Sequence, residues 1–296
     1  MRKVTLAAVQ MACSWDEEEN IRKAEQNVRQ AKAKGADIVL LQELFETVYF
    51  CQEVNYEYFS YAKPAENHPV LQRMSKLAAE LQVVIPVSFF EKCNETYYNA
   101  VAVIDADGQI LGYYRKSHIP DDPGYYEKFY FSPGDTGFKV WNTKYAKIGV
   151  GICWDQWFPE VARCMALQGA EVLLYPTAIG TEPADRDKVE SLETIEYRWT
   201  YAMVGHSIGN MVPVVAANRT GIEDVGDTSI RFFGSSFITN AVGEIVAQAG
   251  KDEETILTYE VDLDDIPLTK KLRFRDRRTD LYDRLLTKDG KTIPEK

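Results

Sequence analysis

The sequence predicts an α/β protein with a mixed sheet, or two stacked sheets, and helices on the outer faces. Short apolar runs alternate with amphipathic helical patterns along most of the chain. Strand-like segments then form a closing meander over residues 232–239, 244–249 and 256–261. Because no linker or low-complexity tract separates these elements, we expect one domain over residues 1–296.

The first elements establish the alternation. Residues 4–10 predict a strand, and residues 18–34 predict an amphipathic helix that ends before Gly35. The apolar run 38–42 is typical of a strand that is buried on both faces. A helix over residues 69–81 follows.

The middle of the chain adds a hairpin and further alternation. Asp105, Ala106, Asp107 and Gly108 form a turn signal between two strand patterns. The remaining elements follow in chain order: strands over 83–89, 100–104, 110–115 and 147–153, a helix over 160–168, a strand over 171–175, a helix over 189–208 and a strand over 212–217.

Composition narrows the class of protein. The chain has 296 residues, 45% hydrophobic and 27% charged, and a formal net charge of −11. Such an acidic chain argues against a nucleic-acid partner, because phosphate binding depends on basic surface. Five cysteines, an odd number without CxxC spacing, indicate a reducing compartment, and we expect a cytoplasmic protein. The sequence offers no membrane span, zinc-type spacing or nucleotide-binding motif, so we expect neither a metal nor a cofactor.

Reactive side chains follow three of the predicted strands. Glu43 follows the run 38–42, Lys116 follows the hairpin strand, and Cys153 lies where a strand turns into a helix that begins near Pro159. Open α/β sheets place their sites at such strand ends. A thiol, a cation and a candidate base therefore predict a thiol hydrolase in which Lys116 and a backbone N–H stabilise an oxyanion.

The residues alone leave the base open. A carboxylate can deprotonate a thiol if burial raises its pKa, and Glu43 ends an apolar strand. His118, close to Lys116 in sequence, is the alternative base. The two possibilities are about equal on physical grounds.

Three segments resemble the signatures of the nitrilase superfamily: residues 40–43, 114–120 and 151–155. The resemblance implies a four-layer α-β-β-α sandwich and a Glu-Lys-Cys triad of Glu43, Lys116 and Cys153 that cleaves carbon–nitrogen bonds other than peptide bonds. It selects Glu43 over His118 as the base. It also implies a homo-oligomer, with residues 264–296 as a candidate for subunit contact.

Further segments, 46–52, 123–138 and 175–183, resemble the branch of the superfamily that acts on cationic ureido compounds. This resemblance implies that Glu127 is a second active-site glutamate that orients Lys116. It also implies that Glu182 binds the distal ammonium of a small-molecule substrate. Tyr49, Tyr125 and Trp154 are candidate pocket walls.

Rival functions differ in the substrate or in activity itself. An enzyme for N-carbamoyl amino acids or ω-amides needs a cation in the pocket, where the resemblance instead implies Glu182. A nitrile-hydrolysing enzyme is a further alternative. A catalytically idle scaffold is disfavoured because Glu43, Lys116 and Cys153 are all retained.

Overall fold

The computed structural model describes residues 1–181, 183–185, 188–265 and 269–291. The chain divides into two compact units, Met1–Asp264 and Asp265–Lys296. No helix among the described residues is long and apolar enough to cross a membrane.

Among the described residues, the first unit holds fourteen strands and five α-helices, and the second holds one α-helix. The strands are β1 Lys3–Gln10, β2 Ile38–Leu40, β3 Ile85–Cys93, β4 Thr96–Ile104, β5 Ile110–Arg115, β6 Val140–Asn142, β7 Lys147–Val150, β8 Val172–Pro176, β9 Val214–Ala217, β10 Thr220–Val225, β11 Thr228–Phe233, β12 Phe237–Thr239, β13 Ile245–Gln248 and β14 Thr255–Asp262. The helices are α1 Glu17–Ala33, α2 Pro69–Leu81, α3 Glu127–Tyr130, α4 Pro159–Leu167, α5 Val189–Asn210 and α6 Thr269–Arg275.

Two sheets stack face to face. One contains β14-β1-β2 and β3-β4-β5, which meet at a parallel bridge between Ile38 and Val84. The other has the order β13-β12-β9-β8-β7-β6, with β7, β8 and β9 parallel. The carboxyl ends of these parallel strands therefore reach the same edge of the sheet.

Alternating side chains of the strands build the layers. In β1, Ala7 and Val9 pack with α1 and α2, whereas Leu6 and Ala8 pack into the core between the sheets. On the opposite side, Met165 of α4 and Trp199 of α5 cover the second sheet. The α-β-β-α sandwich is thus confirmed.

Most predicted elements are confirmed, but the strand predicted over residues 232–239 is wrong. Two strands, β11 and β12, occupy this region, and the chain turns at Gly234 and Ser235, where φ is +56° and +54°. Because apolar residues lie on both sides of the turn, the sequence pattern predicted one continuous strand. The sequence pattern also missed β10, which pairs with β11.

Gly108, in the turn between β4 and β5, should be sensitive to substitution. Gly108 has φ of +85°, and a Cβ there would lie 2.5 Å from the Ser75 carbonyl oxygen in α2. Gly108→Ala should therefore lower the free energy of unfolding by about 1 to 3 kcal/mol. Gly205→Ala, in α5 with no atom within 4 Å of the new methyl group, should instead raise it by about 0.5 to 1 kcal/mol. Urea unfolding measures the free energy of unfolding of both variants. Equal stability of the two variants would contradict the expectation.

Candidate active site

Glu43 lies just beyond β2 and is fully buried. The next residue, Leu44, has φ of +47°, so the chain turns sharply away from the strand. Asn99 in β4 donates a hydrogen bond of 2.6 Å from Nδ2 to Glu43 Oε1. This bond joins Glu43 to the neighbouring part of the first sheet.

Lys116 follows β5 directly and places its ammonium between two carboxylates. Nζ lies 2.8 Å from Glu43 Oε1, 2.9 Å from Glu127 Oε1 and 2.7 Å from Glu127 Oε2. The side chains of all three residues have no exposed surface. Tyr49 completes the cluster by donating a hydrogen bond of 2.7 Å to Glu127 Oε1.

The electrostatics of this cluster follow from burial and proximity. Burial lowers the pKa of Lys116, but Glu127 and Glu43 oppose it more strongly, so the pKa stays well above its ordinary value. Burial raises the pKa of Glu127, although Lys116 acts in the opposite direction. The ammonium is therefore held in its charged form inside the protein.

Cys153 begins a tight 3₁₀ turn beyond β7 and has φ of +40°. Strained backbone of this kind is typical of a nucleophile elbow. The thiol Sγ donates to the carbonyl oxygen of Ala178 at 3.7 Å. Burial, then the charge of Glu43, raises the pKa of the thiol well above its ordinary value, while Lys116 lowers it.

One carboxylate oxygen of Glu43 is available to accept a proton. Oε1 accepts from Lys116 and Asn99, whereas Oε2 is buried and has no hydrogen-bond partner within the described part of the chain. Glu43 acts on the pKa of Cys153, so the two groups are electrostatic neighbours. A carboxylate oxygen without a partner beside a protonated thiol is suited to accept its proton.

Asp155 connects the cysteine turn to the chain beyond Lys116. Oδ2 accepts from the Ile152 backbone N–H at 2.9 Å and from the Tyr114 hydroxyl at 2.7 Å. Oδ1 accepts from the His118 backbone N–H at 3.1 Å. This buried carboxylate thus fixes the nucleophile turn relative to the end of β5.

His118, the alternative base, is engaged elsewhere. Its Nδ1 lies 2.7 Å from Asp155 Oδ1, and its ring stacks on Phe158 with centroids 3.7 Å apart. Glu43, by contrast, raises the pKa of the Cys153 thiol. The geometry therefore favours a carboxylate base.

A second buried ion pair holds the loop that carries Glu43. Arg219 follows β9 and donates to the backbone carbonyls of Glu43 at 3.0 Å and Thr47 at 2.9 Å, and also to that of Leu44. Glu223 of β10 pairs with the same guanidinium at 2.8 Å. The turn beyond β2 is thereby anchored from the second half of the chain.

A cavity of about 300 Å³ opens beside Cys153. Tyr125 and Trp154, two predicted pocket walls, line it. Tyr49, the third, is absent from its lining; its hydroxyl instead holds Glu127. Glu182 lies outside the described residues.

Sequence reasoning missed three of these contributors. Asn99 could have been noticed as a polar residue in an otherwise apolar strand, and Asp155 as the acid two residues after Cys153. Arg219 gave no comparable signal, because the backbone carbonyls that it binds lie more than 170 residues away in the chain. Within the described residues, no group of three or more His, Cys, Asp or Glu is placed to hold a metal ion.

Comparisons with known proteins identify the family of the chain. The carbon-nitrogen hydrolase family matches residues 5–271. A protein named N-carbamoylputrescine amidase from Oryza sativa subsp. japonica is 58% identical, over 97% of this chain and 96% of the relative. A protein named citrullinase from Francisella tularensis subsp. tularensis is 47% identical, over 97% of this chain and 100% of the relative. A crystal structure of a carbon-nitrogen hydrolase from Helicobacter pylori G27 has a TM-score of 0.91 and 40% identity, over 98% of this chain and 100% of that chain.

The buried ion pair at Arg219 predicts a large stability effect. Arg219→Met leaves Glu223 without its buried counter-charge and three carbonyls without a donor. We expect urea unfolding to show a loss of about 3 to 5 kcal/mol. Arg219→Met combined with Glu223→Leu should recover part of this loss, and Arg22→Met, at an exposed position in α1, should cost little. A loss below about 1 kcal/mol for Arg219→Met would contradict the anchoring role.

The protonation state of Cys153 is also testable. Because burial and Glu43 raise its pKa, the thiol should stay protonated at the ordinary cysteine pKa of about 8.5. The ultraviolet absorbance of thiolate, taken as the difference from Cys153→Ala, should therefore show no signal at neutral pH. Glu43→Gln should move the titration to lower pH, since it removes a charge that raises the pKa. A thiolate signal from the unmodified protein near neutral pH would overturn this assignment.

Proposed function

The chain belongs to the carbon-nitrogen hydrolase family, and we propose that it hydrolyses N-carbamoylputrescine to putrescine, carbon dioxide and ammonia, a step in polyamine biosynthesis. It is a hydrolase that acts on carbon–nitrogen bonds other than peptide bonds. One observation carries the choice of substrate: near-full-length identity of 56% to 58% with proteins named N-carbamoylputrescine amidase.

In the proposed mechanism, Glu43 accepts the Cys153 proton on its free oxygen. The thiolate then attacks the ureido carbon of the substrate. Support comes from the unpartnered Glu43 Oε2 and from the electrostatic proximity of the two groups. A protonated resting thiol needs such a base because a thiol is a much weaker nucleophile than a thiolate.

Lys116 and the Trp154 backbone N–H then stabilise the negative oxygen of the tetrahedral intermediate. Protonated Glu43 transfers its proton to the leaving nitrogen, the carbon–nitrogen bond breaks, and putrescine departs. A carbamoyl thioester remains on Cys153. Water that Glu43 deprotonates hydrolyses the thioester, and the released carbamate decomposes to carbon dioxide and ammonia.

Glu127 has a positioning role in this proposal. Both of its carboxylate oxygens contact Lys116 Nζ, and Tyr49 holds one of them. These bonds direct a flexible side chain with a charged end toward the cysteine. The ammonium is thereby oriented before the substrate arrives, which lowers the cost of stabilising the oxyanion.

The preference for a cationic substrate is proposed to rest on Glu182. The residues just before it, Ala178, Ile179 and Gly180, line the cavity beside Cys153. A carboxylate so close in sequence to these residues is proposed to pair with the distal ammonium of N-carbamoylputrescine and to repel an N-carbamoyl amino acid. The strongly acidic chain agrees with this choice but does not determine it.

We further propose a cytoplasmic homo-oligomer with residues 264–296 in subunit contact. The described cysteines are all free, as expected in a reducing compartment. The C-terminal unit exposes large apolar side chains at Leu281, Leu285 and Leu286, which suit an interface. Light scattering on the intact chain and on Leu285→Ser/Leu286→Ser tests this: a single monomeric mass for both would contradict it.

Ammonia release from N-carbamoylputrescine and N-carbamoyl-β-alanine, measured side by side, tests the proposed function. We expect kcat/KM to favour the cationic substrate by at least about 100-fold, because juxtaposed like charges cost several kcal/mol. Cys153→Ala should lower kcat by about 10⁴-fold or more, and Glu182→Gln should reduce the preference. Preference for the carboxylate substrate would overturn the substrate assignment, and activity confined to ω-amides or nitriles would overturn it as well.

A further inference from the structure

The cavity beside Cys153 contains side chains of both charges. Asp122 comes from the loop beyond Lys116, and Arg198 comes from α5 on the other wall. Trp154, Trp157 and Ile195 provide apolar surface of the same cavity. Charged groups beside apolar walls are suited to bind the polar end of a small molecule whose carbon chain lies along those walls.

Arg198 is placed to use its charge on a ligand. It lies one helical turn after Ile195, so both residues face the cavity from the same side of α5. Its neighbour Trp199 is buried against the second sheet and fixes the rotation of the helix. Within the described part of the chain, Arg198 has no hydrogen-bond or salt-bridge partner. Arg115 and Arg219, by contrast, are each paired with a carboxylate.

N-carbamoylputrescine leaves this arginine unused. The distal end of that substrate carries only an ammonium, which an acidic group suffices to bind. Citrulline has the same skeleton, with a carboxylate added to the carbon that bears the ammonium. Its distal end is a zwitterion, and arginine binds carboxylates through paired N–H donors.

We propose that Asp122 and Arg198 bind the zwitterionic end of ureido α-amino acids, which gives the enzyme a second class of substrate. The inference rests on the proposed function, because it uses the same thiol chemistry. Asp122 meets the α-ammonium, and Arg198 meets the α-carboxylate. The two side chains line the cavity from opposite walls, so the distal end lies between them while the ureido group remains at Cys153.

Hydrolysis of citrulline would follow the same steps as hydrolysis of N-carbamoylputrescine. Cys153 Sγ bonds to the ureido carbon, and the bond from that carbon to the side-chain nitrogen breaks. Glu43 supplies the proton to this nitrogen, so ornithine leaves and a carbamoyl thioester remains. Water then releases carbamate, which gives carbon dioxide and ammonia. No oxidant, reductant or further reactant is required.

Steady-state ammonia release from the intact protein with L-citrulline and with N-carbamoylputrescine tests the proposal. Arg198→Gln should raise KM for L-citrulline by about tenfold or more, as expected for loss of a charge-assisted contact. Its kcat should stay nearly constant, since Arg198 is proposed to meet the α-carboxylate and not the ureido group. KM for N-carbamoylputrescine should stay within about twofold. Asp122→Asn should raise KM for both substrates.

The matched control is Arg22→Gln, which removes an exposed helical arginine remote from the cavity and should change neither KM. Hydrolysis of N-carbamoylputrescine without any hydrolysis of L-citrulline would overturn this inference and leave the proposed function standing. Equal effects of Arg198→Gln on both substrates would also overturn it. Hydrolysis of L-citrulline alone, sensitive to Arg198→Gln, would support the Asp122–Arg198 site and overturn the proposed function.

Discussion

The buried ammonium of Lys116, held between the carboxylates of Glu43 and Glu127, is the constraint on which the site depends. Two carboxylates and one ammonium, all without exposed surface, are tolerable inside a protein only if their charges are paired. Tyr49 and Asn99 donate additional hydrogen bonds to oxygens that Lys116 also contacts, Glu127 Oε1 and Glu43 Oε1. The cluster thus keeps a strong charge beside a thiol that burial holds protonated.

The fold brings these charges together by joining the ends of distant segments. Arg219 ties the Glu43 turn to the second half of the chain, and Asp155 ties the cysteine turn to the end of β5. Each anchor is a buried charged side chain that bonds to backbone groups. These groups lie next to the reactive residues, so the anchors fix where Glu43 and Cys153 can point without contacting a substrate themselves.

The sequence predicted what local patterns encode. The helix at Pro69–Leu81 agrees at both ends, because proline fits its first turn and its apolar residues repeat at helical spacing. Apolar runs likewise located Glu43, Lys116 and Cys153 at strand ends. The choice of Glu43 over His118 needed the resemblance, since it depends on contacts between distant segments. For the same reason Asn99 and Arg219 were missed.

Covalent catalysis at Cys153 is the central claim, and intact-protein mass spectrometry after rapid mixing with N-carbamoylputrescine and acid quenching tests it most directly. The account predicts a transient mass increase of one carbamoyl group, mapped to the peptide that contains Cys153. The adduct should be absent in Cys153→Ala. Ammonia release at the normal rate with no such adduct at any time, or with an adduct on another residue, would contradict the account.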